Sequence, residues 1–161
     1  MHVLVIGAAG MLGTKLVQRL GATGKIMGQR IDRITRFDAV IPFPPPQAEC
    51  LIDTFVGDLA DQTECSRLVA AKPDVIFHLA AIVSGEAERD FAKGYRINFD
   101  GTRELLEQIR LKSPENYCPK LVFTSSIAVF GAPFPDKIDD TFFAQPLTSY
   151  GAQKAMGELL I

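Results

Sequence analysis

The sequence predicts an α/β fold, a doubly wound parallel sheet with helices on both faces. Segments typical of strands alternate along the chain with segments typical of helices, which is the pattern of consecutive βαβ units. The first segment, residues 2–6, is a short apolar run like a strand that is buried on both faces. A glycine-spaced turn follows it directly and leads into an amphipathic helix. These observations together predict the fold class.

The other elements are predicted in chain order. Residues 11–21 place their apolar side chains on one helical stripe, and Pro73 ends a second helix over residues 61–71. Further strands are expected over residues 34–40, 51–56, 74–79 and 120–124, and further helices over residues 88–111 and from Thr148 to the end of the chain.

Composition excludes several classes of protein. A chain of 161 residues, 47% of them hydrophobic, can form one domain with a buried core. The net charge of −2 and the absence of a Lys/Arg cluster argue against a nucleic-acid partner. No apolar run approaches the roughly 20 residues that a membrane span needs, so no membrane partner is expected. Cys50, Cys65 and Cys118 lack disulfide or metal-site spacing, which predicts no metal and a reducing, cytoplasmic compartment.

Residues 41–46, Ile-Pro-Phe-Pro-Pro-Pro, can form neither a central strand nor a helix. Two interpretations stay open. The segment is either a polyproline ligand for a partner domain or a stiff surface loop that follows the second strand.

The turn after the first strand has the spacing of a phosphate-binding loop. Gly7 and Gly10 let the backbone turn tightly and approach a pyrophosphate, and Gly13 lets the helix pack against the sheet. The helix N-terminus, at Met11 and Leu12, then presents N–H groups and a partial positive charge to the phosphates. A structural turn is the alternative, but the position after the first strand favours a dinucleotide site of the Rossmann-like kind.

Asp38 is predicted to determine whether NAD or NADP binds. At the end of the second strand, a carboxylate can accept hydrogen bonds from both ribose hydroxyls and would repel a 2′-phosphate, which favours NAD over NADP. Arg33 and Arg36 lie close in sequence and argue the other way. An ordinary turn role is the alternative for Asp38.

Asp58 follows the third strand and could accept a hydrogen bond from the adenine amino group. A helix N-cap is the competing interpretation, although Asp61 and Thr63 are better placed for it.

Tyr150 and Lys154 are four residues apart on a predicted helix and so share one face. An ammonium beside a phenol favours the phenolate, which makes Tyr150 a usable general base. The pair gains weight from the hydroxyl residues 124–126 at the end of the fifth strand. The carboxyl ends of parallel strands line the ligand crevice, so a hydroxyl there can hold a substrate oxygen.

Taken in order over nearly the whole chain, the motifs resemble the extended short-chain dehydrogenases, which are the NAD-dependent epimerase/dehydratase proteins. The motifs are the glycine-spaced turn, Gly57-Asp58-Leu59, His78-Leu79-Ala80-Ala81, Asn98 with Gly101-Thr102, the stretch 125–131, and Pro146 with Tyr150-Gly151 and Lys154. Phe130 departs from the family, which often has Tyr there, and this removes a hydroxyl but no catalytic group.

The resemblance implies roles for individual residues. Ser126 would orient the substrate, Tyr150 would be the base, and Lys154 would assist it and hold the nicotinamide ribose. Asn98 would lie near the cofactor, with service to the backbone as the alternative. His78 is interpreted as a packing residue. Ser84 would contact substrate, and the remaining cofactor contacts implied are Gly7, Gly10, Met11, Leu12, Gly13, Asp38, Asp58, Leu59, Leu79, Ala80 and Ala81.

The stretches 80–88 and 126–130 most resemble family members that oxidise a hydroxyl of a sugar acid. A nucleotide-sugar epimerase or dehydratase is the alternative, and an NAD-binding remnant without turnover is another. In each case the partners expected are NAD and a small sugar-acid or sugar substrate.

Members of this family continue for roughly another domain's length of chain, which supplies most of the substrate pocket. We therefore expect residues 1–161 to be the N-terminal NAD-binding Rossmann domain, truncated before the substrate-binding part. The uncovered edge of the fifth strand and the apolar residues 159–161 predict self-association, with a homodimer as one form.

Overall fold

The computed structural model describes the backbone of residues 1–161 and every side chain except that of Glu115. Its strands are β1 (His2–Ile6), β2 (Lys25–Ile26), β3 (Gln29–Arg30), β4 (Arg33–Asp38), β5 (Leu51–Val56), β6 (Val75–His78) and β7 (Lys120–Phe123). Its α-helices are α1 (Met11–Thr23), α2 (Gln62–Ala70), α3 (Ser84–Arg89), α4 (Phe91–Gly94), α5 (Gly101–Lys112) and α6 (Ser149–Leu160). A π-helical turn spans Tyr95–Asp100, and 3₁₀ turns span Ser113–Glu115 and Ile127–Val129.

Five parallel strands form the main sheet in the order β5-β4-β1-β6-β7, with β1 in the centre. The chain divides into two compact units, the first comprising residues 1–80 and 104–124, and the second comprising residues 81–103 and 125–161. The first unit holds the whole sheet together with α1 and α2.

Alternate residues of β1 enter two separate core clusters. Val3 and Val5 pack with side chains of α1, whereas Leu4 and Ile6 pack with side chains of α2 and of the α5 residue Leu105. Side chains of a strand point alternately to its two faces, so helices cover both faces of the sheet. The predicted fold class, a Rossmann-like doubly wound sheet, is confirmed.

The prediction of one helix over residues 88–111 is wrong. Asp90 has φ −127° and ψ 85°, which separates α3 from α4, and its side chain accepts a hydrogen bond from the Lys93 N–H at 3.0 Å. The chain then passes through the π-helical turn Tyr95–Asp100 before α5 begins. The spacing of apolar residues does not reveal such breaks, because the apolar residues before and after each break still recur at helical intervals.

The β2–β3 hairpin was not predicted from the sequence. Its two turn residues, Met27 and Gly28, have φ of 50° and 77°. Positive φ at both positions is typical of a tight hairpin turn, for which Asn-Gly is the usual signal and Met-Gly is not.

No helix among the residues that the structure describes combines the length and the apolar character needed to cross a membrane.

The folded chain should lose stability as His2 becomes protonated. The His2 ring nitrogens lie 2.8 Å from Thr35 Oγ1 and 3.3 Å from the Ala71 carbonyl oxygen, and burial lowers the pKa of His2 below its usual 6.5. Below about pH 6.5 the unfolded chain therefore binds a proton more readily than the folded one, so the free energy of unfolding should fall. Urea unfolding from about pH 7.5 to about pH 5.5 measures this loss.

His2→Gln is the matched variant, because it removes this titration and leaves His78 as the remaining histidine. Its free energy of unfolding should fall less than that of the wild type over the same pH range. An equal fall in both proteins would contradict the prediction.

Candidate functional site

The glycine-spaced turn of the first unit joins β1 to α1. The N–H of Gly7 donates to the Phe37 carbonyl oxygen at 2.9 Å, and the N–H of Gly10 donates to the Gly7 carbonyl oxygen at 3.2 Å. A Cβ at Gly13 would overlap the Gly7 carbonyl oxygen, so the first turn of α1 lies directly against the backbone of the loop. Met11 and Leu12, which begin α1, are exposed. This is the shape that admits a phosphate group to a helix N-terminus.

Asp38 lies beside this turn. One carboxylate oxygen accepts a hydrogen bond from the Ala9 N–H at 2.8 Å, and the other accepts from the Val40 N–H at 3.3 Å. The side chain is half-buried. It therefore braces the turn and also brings a negative charge to it.

The two arginines that argued for NADP are engaged elsewhere in the first unit. Arg33 pairs with Asp53, with 3.2 Å between Nε and the nearer carboxylate oxygen. Arg36 is buried, and its guanidinium donates to Thr54 Oγ1 at 3.1 Å and to the Phe43 carbonyl oxygen at 2.6 Å. Desolvation lowers the pKa of Arg36. The bond to Phe43 also ties the proline-rich loop 41–46 to the sheet, and this loop has neither helix nor strand.

The two acidic residues that follow β5, Asp58 and Asp61, have different hydrogen-bond partners. Asp61 caps α2 by accepting from the N–H of Thr63 at 2.7 Å, as the sequence predicts. Asp58 accepts from the Ala60 N–H at 2.9 Å. Leu59 is buried in the core, and its carbonyl oxygen accepts the Cys65 thiol. Contact of Asp58 and Leu59 with a cofactor stays a prediction.

At the end of β6, His78 is buried and meets the Phe123 ring edge-on, which agrees with a packing role. Leu79 continues the strand direction, with its N–H bonded to the Ile6 carbonyl oxygen at 2.9 Å. Leu79 and Ala80 are half-buried. Within the described side chains, no cluster of three or more His, Cys, Asp or Glu could hold a metal ion.

The predicted catalytic residues all belong to the second unit. Thr148 caps α6 through its hydroxyl, which accepts from the Gly151 N–H at 3.0 Å. Ser126 starts the turn Ile127–Val129, with its hydroxyl oxygen 3.2 Å from the Ala128 N. A Cβ at Gly151 would overlap the Ala128 carbonyl oxygen. The start of α6, which carries Tyr150, therefore lies directly against the turn that Ser126 begins.

Lys154 is the most unusual cation of this unit. It is only 1% exposed, and burial lowers its pKa to about 8, while Glu158, one helical turn further on, opposes the shift. Perturbed cations of this kind are typical of functional sites.

Two residues that the sequence did not indicate support α6. Glu88 accepts a hydrogen bond from the Tyr150 N–H at 2.8 Å, which places a carboxylate at the helix N-terminus. Gln153 is fully buried and accepts from the Asn98 side-chain amide at 2.8 Å. The sequence could have indicated Gln153, because it is a polar residue on the buried face of a helix. Nothing in the sequence around Glu88 indicates its contact with Tyr150.

The other predicted residues of the second unit vary in exposure. Asn98 is buried and its amide also bonds both backbone groups of Ile82. Ala81 is half-buried, and Ser84 is exposed as the first residue of α3. Their contacts with cofactor or substrate stay predictions.

The model of the NAD-dependent epimerase/dehydratase family matches residues 3–161. The chain belongs to this family, and NAD as the expected cofactor is confirmed at the level of the family.

Individual relatives agree with this assignment. The chain is 41% identical to a D-erythronate dehydrogenase of Cupriavidus necator, over 100% of this chain and 49% of the relative. A crystal structure described as a nucleoside-diphosphate-sugar epimerase from Agrobacterium tumefaciens has a TM-score of 0.96 and 55% identity, over 99% of this chain and 47% of the other. A UDP-glucose 4-epimerase from Brucella ovis in complex with NAD has a TM-score of 0.79 and 29% identity, over 99% and 46% of the two chains. The chain thus spans about half the length of these relatives.

Gly13→Ala should distort the glycine-spaced turn, because the added methyl would overlap the Gly7 carbonyl oxygen. We expect a loss of stability of about 1–3 kcal/mol, the usual cost of forcing a group into a filled space. Thermal unfolding measures the loss, and titration calorimetry should show weaker NAD binding.

Gly85→Ala is the matched control, since a Cβ there would meet nothing within 4 Å. It should leave stability unchanged or raise it slightly, because Ala is favoured over Gly in a helix. Equal behaviour of the two variants would mean that α1 does not need its close approach to the turn.

Proposed function

We propose that the protein to which this chain belongs is an NAD-dependent dehydrogenase that oxidises a hydroxyl group of a sugar acid. The observation that carries the proposal is the buried Lys154 on α6, the same helix that carries Tyr150, with the Ser126 turn packed against the start of that helix. Similarity to D-erythronate dehydrogenase supports the substrate class.

The first unit suits the diphosphate end of NAD. Because Gly13 has no Cβ, the first turn of α1 packs directly against the Gly7 carbonyl oxygen, and the exposed Met11 and Leu12 leave the N-terminus of α1 open to a phosphate. The Asp38 carboxylate lies beside the same turn. We propose that Gly7, Gly10 and Gly13 hold the pyrophosphate and that Asp38 accepts hydrogen bonds from the adenosine ribose. On this proposal, residues 1–161 are the NAD-binding portion of a longer enzyme. When bound, NAD supplies the acceptor for the hydride that the substrate loses.

The second unit acts on the substrate hydroxyl. Ser126 Oγ donates or accepts a hydrogen bond that fixes the substrate oxygen, and the Tyr150 phenolate takes the hydroxyl proton. The Lys154 ammonium stabilises the phenolate, because an adjacent positive charge favours the charged form of the phenol. Loss of the proton and of a hydride from the same carbon–oxygen unit leaves a carbonyl group.

A nucleotide-sugar epimerase is the second candidate, and the 55% identity to the Agrobacterium tumefaciens protein favours it. An epimerase would use the same residues for the first oxidation and then return the hydride to the other face of the sugar. The distinction is therefore the net yield of NADH, which is equal to the substrate consumed for a dehydrogenase and zero for an epimerase. An NAD-binding protein without turnover would bind NAD and give neither product.

We expect NAD to bind more tightly than NADP, because Asp38 would meet the 2′-phosphate with like charge. Titration calorimetry with both cofactors measures the difference. Asp38→Asn, which keeps the size of the side chain, should weaken NAD binding and reduce the preference. Tighter binding of NADP by the wild-type protein would refute the role given to Asp38.

Tyr150→Phe should remove most of the turnover and leave NAD binding nearly intact, because only the proton acceptor is lost. Loss of a positioned general base typically costs about 10²- to 10⁴-fold in rate. Lys154→Met should damage both rate and NAD binding, since Lys154 is proposed to serve the base and the nicotinamide ribose. The assay is NADH absorbance with D-erythronate in the full-length protein, beside an epimerisation assay with a nucleotide sugar.

Tyr95→Phe makes the same chemical change outside α6, at a ring that packs against Phe91 and Phe99, and should keep wild-type turnover. Near-wild-type turnover in Tyr150→Phe would sink the mechanism. Epimerisation without net NADH would favour the second candidate.

A further inference from the structure

We infer that Gln153 is a positioning residue, which orients α6 by holding Asn98 and, through Asn98, the backbone of Ile82. The inference rests on the proposed function, because α6 carries the proposed base Tyr150 and its partner Lys154. All of these residues belong to the second unit.

The Gln153 side chain is 0% exposed, which is unusual for a glutamine. Burying a primary amide costs free energy unless its polar atoms are hydrogen-bonded. Here the carbonyl oxygen accepts from Asn98 Nδ2 at 2.8 Å, and Nε2 donates to Ser149 Oγ at 2.9 Å. Each end of the amide therefore has a partner, and the side chain is held in one orientation.

Asn98 extends the connection to the segment that follows β6. Its Oδ1 accepts from the Ile82 N–H at 2.9 Å, and its Nδ2 also donates to the Ile82 carbonyl oxygen at 3.2 Å. Ile82 directly follows Ala81, a proposed cofactor contact. Asn98 itself lies in the π-helical turn Tyr95–Asp100, a rare conformation that is frequent at functional sites.

Gln153 precedes Lys154 by one residue and follows Tyr150 by three. Because successive residues of a helix point about 100° apart, Asn98 can hold Gln153 while Lys154 faces in another direction. A rotation of α6 that broke the Gln153–Asn98 bond would displace Tyr150 and Lys154 together. Small displacements of reacting groups cost large factors in rate. A side chain that contacts no substrate can therefore control kcat.

The test compares Gln153→Leu with Gln153→Glu in the full-length protein, with D-erythronate and saturating NAD as the probes. Rates are expressed per NAD-binding site, so that a smaller folded fraction does not lower kcat. We expect Gln153→Leu to lower kcat roughly 10-fold or more, with a much smaller change in KM. Gln153→Glu retains the acceptor for Asn98 Nδ2, and its second oxygen can accept from the Ser149 hydroxyl in place of the donation that Nε2 makes, so it should recover most of the loss.

Gln18→Leu is the control, since it makes the same change at an exposed position of α1 and should keep wild-type kcat. Wild-type kcat in Gln153→Leu, while Tyr150→Phe is inactive, would overturn the inference and leave the proposed function standing. Equal loss in Gln153→Leu and Gln153→Glu would also overturn it, because a restored acceptor for Asn98 would then restore nothing.

Amide hydrogen exchange at Ile82 provides a readout that needs no turnover. We expect faster exchange of the Ile82 N–H in Gln153→Leu, with no change at Leu4 in β1. Gly94→Ala serves if Gln153→Leu does not fold, because a Cβ there would lie 2.7 Å from Gln153 Nε2 and would push the amide from its place. Unchanged Ile82 exchange in the folded variants would overturn the inference, even if the wild-type protein gives no NADH from D-erythronate and the proposed function fails.

Discussion

Strand β1 is buried on both of its faces, and the arrangement of the first unit depends on that burial. Four successive apolar side chains, from Val3 to Ile6, alternate between two core clusters. Burying one such side chain contributes about 1.5–3 kcal/mol, so β1 requires helices above and below the sheet. With β1 in the centre, its carboxyl end leads directly into the glycine-spaced turn and α1. The same hydrophobic constraint thus forms the core and places the candidate phosphate loop at the carboxyl-terminal end of the central strand.

Three of the buried polar side chains, Arg36, Asn98 and Gln153, have specific hydrogen-bond partners. Arg36 bonds Thr54 and the Phe43 carbonyl oxygen, while the Asn98 and Gln153 amides bond each other. Such bonds offset the cost of removing these groups from water. They also join segments that are distant in sequence, since Arg36 fixes the proline-rich loop and Asn98 links Ile82 to α6. These bonds add fixed points of attachment to the apolar packing of the two units.

The two proposed reactions, dehydrogenation and epimerisation, would use the same residues of this chain. Both reactions begin when a hydroxyl loses a proton and a hydride, so both need a base, a charge that favours the phenolate, and NAD. Relatives with different described activities can therefore match this chain at 41% and 55% identity. The reactions diverge afterwards, in whether the hydride returns to the substrate. That fate depends on how the sugar is held, which is a property of the substrate pocket.

Local patterns in the sequence were enough to predict every strand of the main sheet, the glycine-spaced turn, the N-cap role of Asp61 and the family. These features depend on short-range chemistry: side-chain alternation, glycine spacing and the capping of a helix by a nearby oxygen. The same patterns predicted one helix where the chain forms α3, α4, a π-helical turn and α5. They also missed the Met27-Gly28 hairpin turn, whose positive φ angles are unusual for Met.

Tertiary structure decided which polar groups meet. Asp38 and Ala9 are 29 residues apart, Glu88 and Tyr150 are 62 apart, and Asn98 and Gln153 are 55 apart. It also decided that Arg33 and Arg36 are engaged within the first unit, and that Lys154 is buried deeply enough to hold its pKa near 8. These contacts and this burial cannot be predicted from local sequence, because a hydrogen bond or a desolvation energy depends on distances that only the folded chain defines.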